Sequence, residues 1–342
     1  MNLPDTLEAI PFQQQEVELA PNGRDDMSSQ LNNLGLSALS RFERTGDISD
    51  ISTAISILQR AVQLTPNGDA SLPGRLNNLG YSFRGRCERT GDVSDVSEAI
   101  SILQRAVRLT PNGHPDMPGY LTELGNSFRC RFECTGDVSD ISQAVSAQQR
   151  AVELTPNGHD QMPALLNNLG LSVLSRSECT GSVSDISYAI SIQQQAVQLA
   201  PNGHPGIPRQ LNNVGISFVA RFKHTGDLSD ISEAISHQQR AVQLTPNDHA
   251  IMPRRLCNLG NLFERRFEHT GDLSDISEAI SLQQQAIQLT PDEHADMPGL
   301  LNNLGISFRG RFERTEDVSD ISEAISAHQR AVQLWRGICT KN

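Results

Sequence analysis

The stretch 256–291, LCNLGNLFERRFEHTGDLSDISEAISLQQQAIQLTP, decides the fold, because close variants of it recur along the whole chain. Its opening L-x-N-L-G segment, its S-D-[IV]-S segment and its closing proline each return every 45 residues. The leucines that open the copies are Leu31, Leu76, Leu121, Leu166, Leu211, Leu256 and Leu301. A fixed period of about 20–50 residues is the signature of a repeat array. The sequence therefore predicts seven copies of one unit.

The first half of this unit has the pattern of an amphipathic helix. Pro253 suits the first turn of a helix, where its missing N–H costs nothing. Gly271 suits the left-handed residue just past the end of a helix. The residues between them that fall on one helical face are Leu256, Leu259, Gly260, Phe263 and Phe267.

The second half of the unit predicts another helix. Either Asp272 or Ser274 can cap its start, and Pro291 ends it. Its apolar stripe is Ile276, Ala279, Ile280, Ala286 and Ile287. No useful period-two stretch, which would indicate a strand, occurs in the chain. The fold class is therefore predicted to be all-α.

Several of these positions match, in order, the tetratricopeptide repeat (TPR) pattern: Leu259, Gly260, Phe263, Ala279, Ala286 and Pro291. The chain resembles that family over nearly all of its 342 residues. The resemblance implies a right-handed superhelical α-solenoid of helix–turn–helix repeats. Two features depart from it: the unit is longer than the usual repeat of about 34 residues, and Gln283 stands where an aromatic residue is expected. The long unit is similar to fungal TPR arrays that often precede a CHAT protease domain and, more distantly, to kinesin light chain.

The repeat period divides the chain into one partial and seven full units. Residues 1–27 are predicted to hold an orphan second helix and its loop. The full repeats are expected at 28–72, 73–117, 118–162, 163–207, 208–252, 253–297 and 298–342. Neither end carries an obvious polar capping repeat, which such arrays usually need. We therefore expect the chain to be part of a longer array or to self-associate through uncapped ends.

Composition narrows the classes of function. The net charge is −12, only two of the 28 basic residues are lysines, and aromatic residues make up 4%, so a nucleic-acid partner is not expected. No apolar run approaches the roughly 20 residues that span a bilayer, and the N-terminus does not resemble a signal peptide. We expect a cytoplasmic protein without a membrane segment. No phosphate loop, metal signature or nucleophile motif is present, so neither an enzyme nor a cofactor is predicted.

The six cysteines occupy positions that hold other residues in sister repeats: Cys87, Cys130, Cys134, Cys179, Cys257 and Cys339. Cys130 and Cys134 lie one helical turn apart and could form half a metal site. The sequence places no histidine or second cysteine pair to complete it. We interpret the cysteines as incidental and predict no metal site.

Five histidines recur in the loops between repeats: His114, His159, His204, His249 and His294. A metal-binding or pH-sensing ladder is one interpretation. Packed helices lie about 8–10 Å apart, too far for neighbouring histidines to share an ion with bonds of about 2 Å. We therefore favour a loop residue that bonds the end of a helix.

An arginine near the end of each first helix and an aspartate at the start of each second helix are equally regular, as in Arg266 and Asp275. The turn between the helices brings them close. We expect a structural clasp within each hairpin. The alternative is a row of arginines that recruits an acidic partner.

Asparagines are the best candidates for binding. They lie between inward-facing leucines, and the TPR resemblance places this part of the first helix in the concave groove. An amide donates to C=O and accepts from N–H of an extended peptide. The alternative is an exposed or inter-helix-bonded amide without a ligand. The candidates are Asn32, Asn33, Asn77, Asn78, Asn167, Asn168, Asn212, Asn213, Asn258, Asn302 and Asn303.

Variable positions nearby, including Tyr81, Arg84 and Arg129, would set partner choice. The leading hypothesis is a non-enzymatic scaffold that binds a peptide or helix of a partner protein. The alternatives are a regulatory array of a larger CHAT-type protease and a self-associating architectural solenoid. Fold alone does not distinguish them.

Overall fold

The computed structural model describes residues 24–201 and 203–339, with side chains from 27 to 336. This part of the chain is helical, contains no strand, and confirms the all-α prediction. The predicted orphan helix lies outside the described residues. The helices are α1 (Arg24–Thr45), α2 (Ile48–Leu64), α3 (Leu72–Thr90), α4 (Val93–Leu109), α5 (Met117–Thr135), α6 (Val138–Leu154), α7 (Met162–Thr180), α8 (Val183–Leu199), α9 (Ile207–Thr225), α10 (Leu228–Gln243), α11 (Met252–Thr270), α12 (Leu273–Gln288), α13 (Met297–Thr315) and α14 (Val318–Cys339).

The chain forms two compact units, Met1–Thr180 and Gly181–Asn342. Within each unit every helix packs against the next one along the chain. Some first helices of successive repeats also touch, as α3 does with α5 in the first unit and α11 with α13 in the second. The boundary between the units falls inside the fourth sequence repeat, 163–207. None of the described helices is both long and apolar enough to cross a bilayer.

The ends of the helices follow the local sequence signals. Gly271 adopts a φ of +71° just after α11, as the left-handed end requires. Asp272, not Ser274, caps α12: its carboxylate accepts a hydrogen bond from the Ser274 N–H at 2.9 Å. In the seventh repeat the residue just after α13 is Glu316 instead of glycine, and it adopts the left-handed conformation with a φ of +58°.

The glycine of the L-x-N-L-G segment lies close against the second helix of its hairpin. A Cβ on Gly80 would lie 2.6 Å from Leu103 Cγ, and one on Gly125 would lie 2.6 Å from Gln148 Cγ. Leu103 and Gln148 occupy the position at which the TPR pattern expects an aromatic residue. The side chain at that position therefore fills the space above the glycine of the partner helix.

The arginine–aspartate clasp is confirmed. Arg86 donates from Nε and Nη2 to the two carboxylate oxygens of Asp95 at 2.7 and 2.6 Å. This hydrogen bonding raises the pKa of Arg86. The same ion pair joins Arg41 to Asp50, Arg131 to Asp140, Arg221 to Asp230, Arg266 to Asp275 and Arg311 to Asp320. In these six hairpins the arginines therefore tie the two helices together and are not a free row of cations.

Candidate partner-binding surface

The loop histidines bond the starts of helices. The Gly206 N–H donates to His204 Nδ1 at 3.0 Å, and the Asp116 N–H donates to His114 Nδ1 at 3.2 Å. Asp69 stands at the same position two repeats earlier than His159 and accepts from the Ser71 N–H at 2.7 Å. A carboxylate can thus replace the imidazole, which confirms the structural interpretation of these histidines.

The candidate asparagines lie along the first helices, on a surface that we call the first-helix face. Asn78 Nδ2 donates to Asn32 Oδ1 of the preceding repeat at 3.1 Å. Asn303 Nδ2 makes the equivalent contact with Cys257 Sγ at 3.3 Å. In both contacts, the second residue of the asparagine pair in one repeat bonds the first residue of the equivalent pair in the repeat before it. Part of the asparagine pattern therefore holds neighbouring repeats together.

The asparagines differ in how far they are open to a partner. Asn167 and Asn213 are buried, with 3% and 8% of their surface exposed, so these two are not open to a partner as the groove assignment expects. Asn33 is exposed, and Asn168 and Asn258 are half-buried. Within the described ranges, the side-chain amides of these last three make no hydrogen bond.

A cavity borders the asparagines at equivalent places in the two units. In the first unit it has a volume of about 330 Å³ and is lined by Asn32, Asn33, Gly74, Asn78 and Tyr120 among others. In the second unit it has a volume of about 900 Å³ and is lined by Cys257, Asn258, Asp296 and Gly299 among others. Asn258 and Gly299 stand five repeats after Asn33 and Gly74. A Cβ on Gly299 would meet nothing within 4 Å, so this glycine leaves the cavity open.

The three side chains predicted to set partner choice contact acidic residues of the chain itself. Tyr81 donates to Glu43 Oε1 at 2.8 Å, and burial together with this bond raises the pKa of Tyr81 to about 12. Arg84 bonds Glu123 at 3.0 Å and lies 4.9 Å from the centre of the Tyr81 ring. Arg129 is paired with Glu133. Their role in specificity stays a prediction.

The structure brings together three thiols that the sequence pattern did not connect. Cys87 Sγ lies 3.8 Å from Cys130 Sγ, and with Cys134 the three sulfurs lie within 4.8 Å of one another. Burial raises the pKa of Cys87 to about 11, and burial and the neighbouring Cys87 raise the pKa of Cys130. Cys87 stands 43 residues before Cys130 and reaches it only because successive repeats pack together.

Comparison with known proteins finds neighbours among solved structures. No protein-family model matches the chain, and no curated protein sequence matches it. Its neighbours among solved structures include proteins described as TPR or TPR-like repeat proteins. They include a TPR repeat-containing protein of Cytophaga hutchinsonii, with 10% identity, coverage of 84% of this chain and 98% of that one, and a TM-score of 0.49. The TPR-like repeats of a putative kinesin light chain from Podospora anserina match with 14% identity, coverage of 64% and 100%, and a TM-score of 0.48.

A third solved structure, BtubC (BKLC) from P. vanneervenii, matches with 17% identity, coverage of 72% of this chain and 90% of that one, and a TM-score of 0.49. These identities and scores are too low to carry an inference about function. The repeated helical hairpins expected from the sequence are nevertheless present in this chain itself.

Proposed function

We propose that the chain is a non-enzymatic interaction scaffold that binds an extended segment of a partner protein on its first-helix face. The observation that carries the proposal is the asparagine-bordered cavity, which recurs at equivalent positions in both units. Its larger copy, about 900 Å³, is within the range of about 300–1,000 Å³ that is typical of binding clefts.

The chemistry of the lining suits a peptide backbone. Asn33 and Asn258 border the cavities of the first and second unit, respectively. Each amide offers both a donor and an acceptor, which match the C=O and N–H of an extended chain. A ligand held in this way is recognised through its backbone, so the asparagines contribute affinity and the variable neighbours contribute specificity.

Linear peptides displayed on phage and selected on the full chain test this proposal. Asn33→Ala combined with Asn258→Ala should weaken a selected peptide at least about tenfold, the effect of losing roughly 1.4 kcal/mol of hydrogen bonding. Asn157→Ala is the matched control, since Asn157 is exposed in a loop and lines neither cavity. Undiminished binding by the double variant, with helicity retained, would contradict the proposal.

A specific observation supports self-association as a second function. Helix α14 exposes an apolar surface: Ile325 is 51% exposed, whereas its counterparts Ile100 and Ile280 are 4% and 5% exposed. Val332 and Trp335 on the same helix are 50% and 63% exposed. Exposed apolar patches of this kind are typical of protein–protein contacts.

Light scattering over a range of concentrations tests this second function. The mass of the natural chain should rise with concentration, and Ile325→Asp together with Val332→Asp should abolish the rise. Glu323→Asp, a conservative change at an exposed position of the same helix, is the control. A monomer mass that does not change with concentration for the natural chain would exclude self-association.

A further inference from the structure

Cys87 near the end of α3 and Cys130 and Cys134 on α5 form a compact group of thiols at the contact between the second and third repeats. Cys87 and Cys130 are 1% and 4% exposed, whereas Cys134 is exposed. All three sulfurs lie within 4.8 Å of one another. Sulfurs that share one metal ion at about 2.3 Å lie about 3.8–4.0 Å apart, which is the separation already present between Cys87 and Cys130.

The same contact in other repeats is built from different residues. Between the first and second repeats, Arg89 lies 5.8 Å from the centre of the Phe42 ring, and a Cβ on Gly85 would lie 3.8 Å from that ring. Between the sixth and seventh repeats the corresponding residues are Phe267, Gly310 and Arg314. A phenyl ring, a glycine and an arginine thus fill a contact that three cysteines fill here. The repeat fold itself does not require thiols at this place.

We propose that Cys87, Cys130 and Cys134 bind one soft, thiolate-preferring metal ion of the Cu(I) type. Thiolate ligands select such ions over harder ones. Iron–sulfur clusters and structural zinc sites usually take four protein ligands, while the described residues supply three at this place. Cu(I) has a closed d shell and is stable with fewer than four thiolates.

The binding reaction involves no electron transfer. Three S–H bonds break, the three protons go to solvent, and three Cu–S bonds form, which leaves the site with a net charge of two minus. Cys134 is exposed, so the sulfur that it contributes places part of this charge in contact with water. This proposal replaces the interpretation of these three cysteines as incidental.

The site can be tested with the full chain, reduced, metal-free and kept under nitrogen. Cu(I) is added from a complex with the chromophoric competitor bicinchoninate, and the copper that the protein withdraws is measured by absorbance. We expect one equivalent to bind, with three sulfur neighbours in the extended X-ray absorption spectrum. Binding of no copper, or copper with fewer than three sulfur neighbours, would overturn the proposal.

The chain offers a matched control. The variant C87F/C130G/C134R carries the residues of the first contact, Phe42, Gly85 and Arg89, and keeps Cys179, Cys257 and Cys339. It should fold, by circular dichroism, and bind Cu(I) at least a hundredfold more weakly. The single variant Cys134→Ala changes only an exposed side chain and should weaken binding at least tenfold. Undiminished binding by Cys134→Ala, or displacement of Cu(I) by one equivalent of Zn(II), would overturn the assignment.

Discussion

At the scale of single residues, carboxylates begin most of the second helices. Asp92 accepts a hydrogen bond from the Ser94 N–H at 2.9 Å and another from the Ser94 hydroxyl at 2.7 Å. These two bonds lower the pKa of Asp92. An anion at the start of a helix also interacts favourably with the helix dipole. The aspartates therefore link the stability of the hairpins to pH.

A first prediction concerns Asp92. Because its pKa is lowered in the folded state, its stabilising contribution is present above the unfolded pKa of about 3.9 and is lost as the pH falls through the folded value. Asp92→Asn keeps a cap but cannot titrate, so its melting temperature should depend less on pH between about 4 and 2. Asp92→Ala should melt at a lower temperature than both at neutral pH. Identical acid sensitivity in Asp92→Asn and the natural chain, measured by thermal melting, would contradict the prediction.

The pKa of Glu264 on α11 is shifted in the opposite direction to that of Asp92. Burial and the nearby Glu268 raise its pKa to about 7. The fold therefore favours the protonated form, so stability declines as the pH rises from the unfolded value of about 4.3 through the folded value. Glu264→Gln should raise the melting temperature at pH 8 and change it little at pH 4. Glu98→Gln, at an exposed position, is the control and should show no such difference.

At the scale of helices, the hairpin depends on a close approach that only glycine allows. The added Cβ on Gly125 would lie 2.6 Å from Gln148 Cγ and 3.1 Å from the Ala144 carbonyl oxygen. The second of these neighbours is backbone, which yields less readily than a side chain. Nothing within α5 itself requires a glycine at this position, because the atoms that a Cβ would meet belong to α6. The packing of α6 against it does.

Gly125→Ala should therefore destabilise the chain by about 1–3 kcal/mol, the usual cost of overpacking. Gly119→Ala, in the same helix, is the matched control, because a Cβ there meets nothing within 4 Å. It should be neutral or stabilise by up to about 1 kcal/mol, since alanine is the better helix former. Urea unfolding measures both variants, and a Gly125→Ala chain as stable as the Gly119→Ala chain would contradict the packing argument.

At the scale of the whole molecule, stability is distributed over neighbouring contacts. In each compact unit every helix contacts the next one along the chain, and several first helices also contact the first helix of the next repeat. Arrays built in this way have stabilities that sum over repeats and nearest-neighbour contacts. A local defect should therefore remain local.

Native-state hydrogen exchange read by mass spectrometry tests this expectation. Gly125→Ala should reduce the protection of amides in α5, α6 and the helices beside them. Protection in α11, α12 and α13, which belong to the other unit, should stay as in the natural chain. Equal loss of protection in all of these helices would show that the chain unfolds as one cooperative block.

The repeat, the helix ends and the hairpin clasp could all be predicted from the sequence. Gly271 and Asp272 act through bonds to residues only a few positions away, and Arg266 reaches Asp275 across one turn of chain. Such signals are local, and because they recur every 45 residues they can be recognised in the sequence. The same recurrence predicted the loop histidines correctly.

The tertiary structure alone decided which side chains meet between repeats. Asn78 bonds Asn32 across 46 residues, so part of the predicted partner-binding pattern is internal packing. Cys87 joins Cys130 across 43 residues, a contact that no local pattern signals. These contacts between side chains of different repeats depend on how one hairpin is placed against the next. That placement follows from the summed packing of many buried side chains and not from the spacing of any motif.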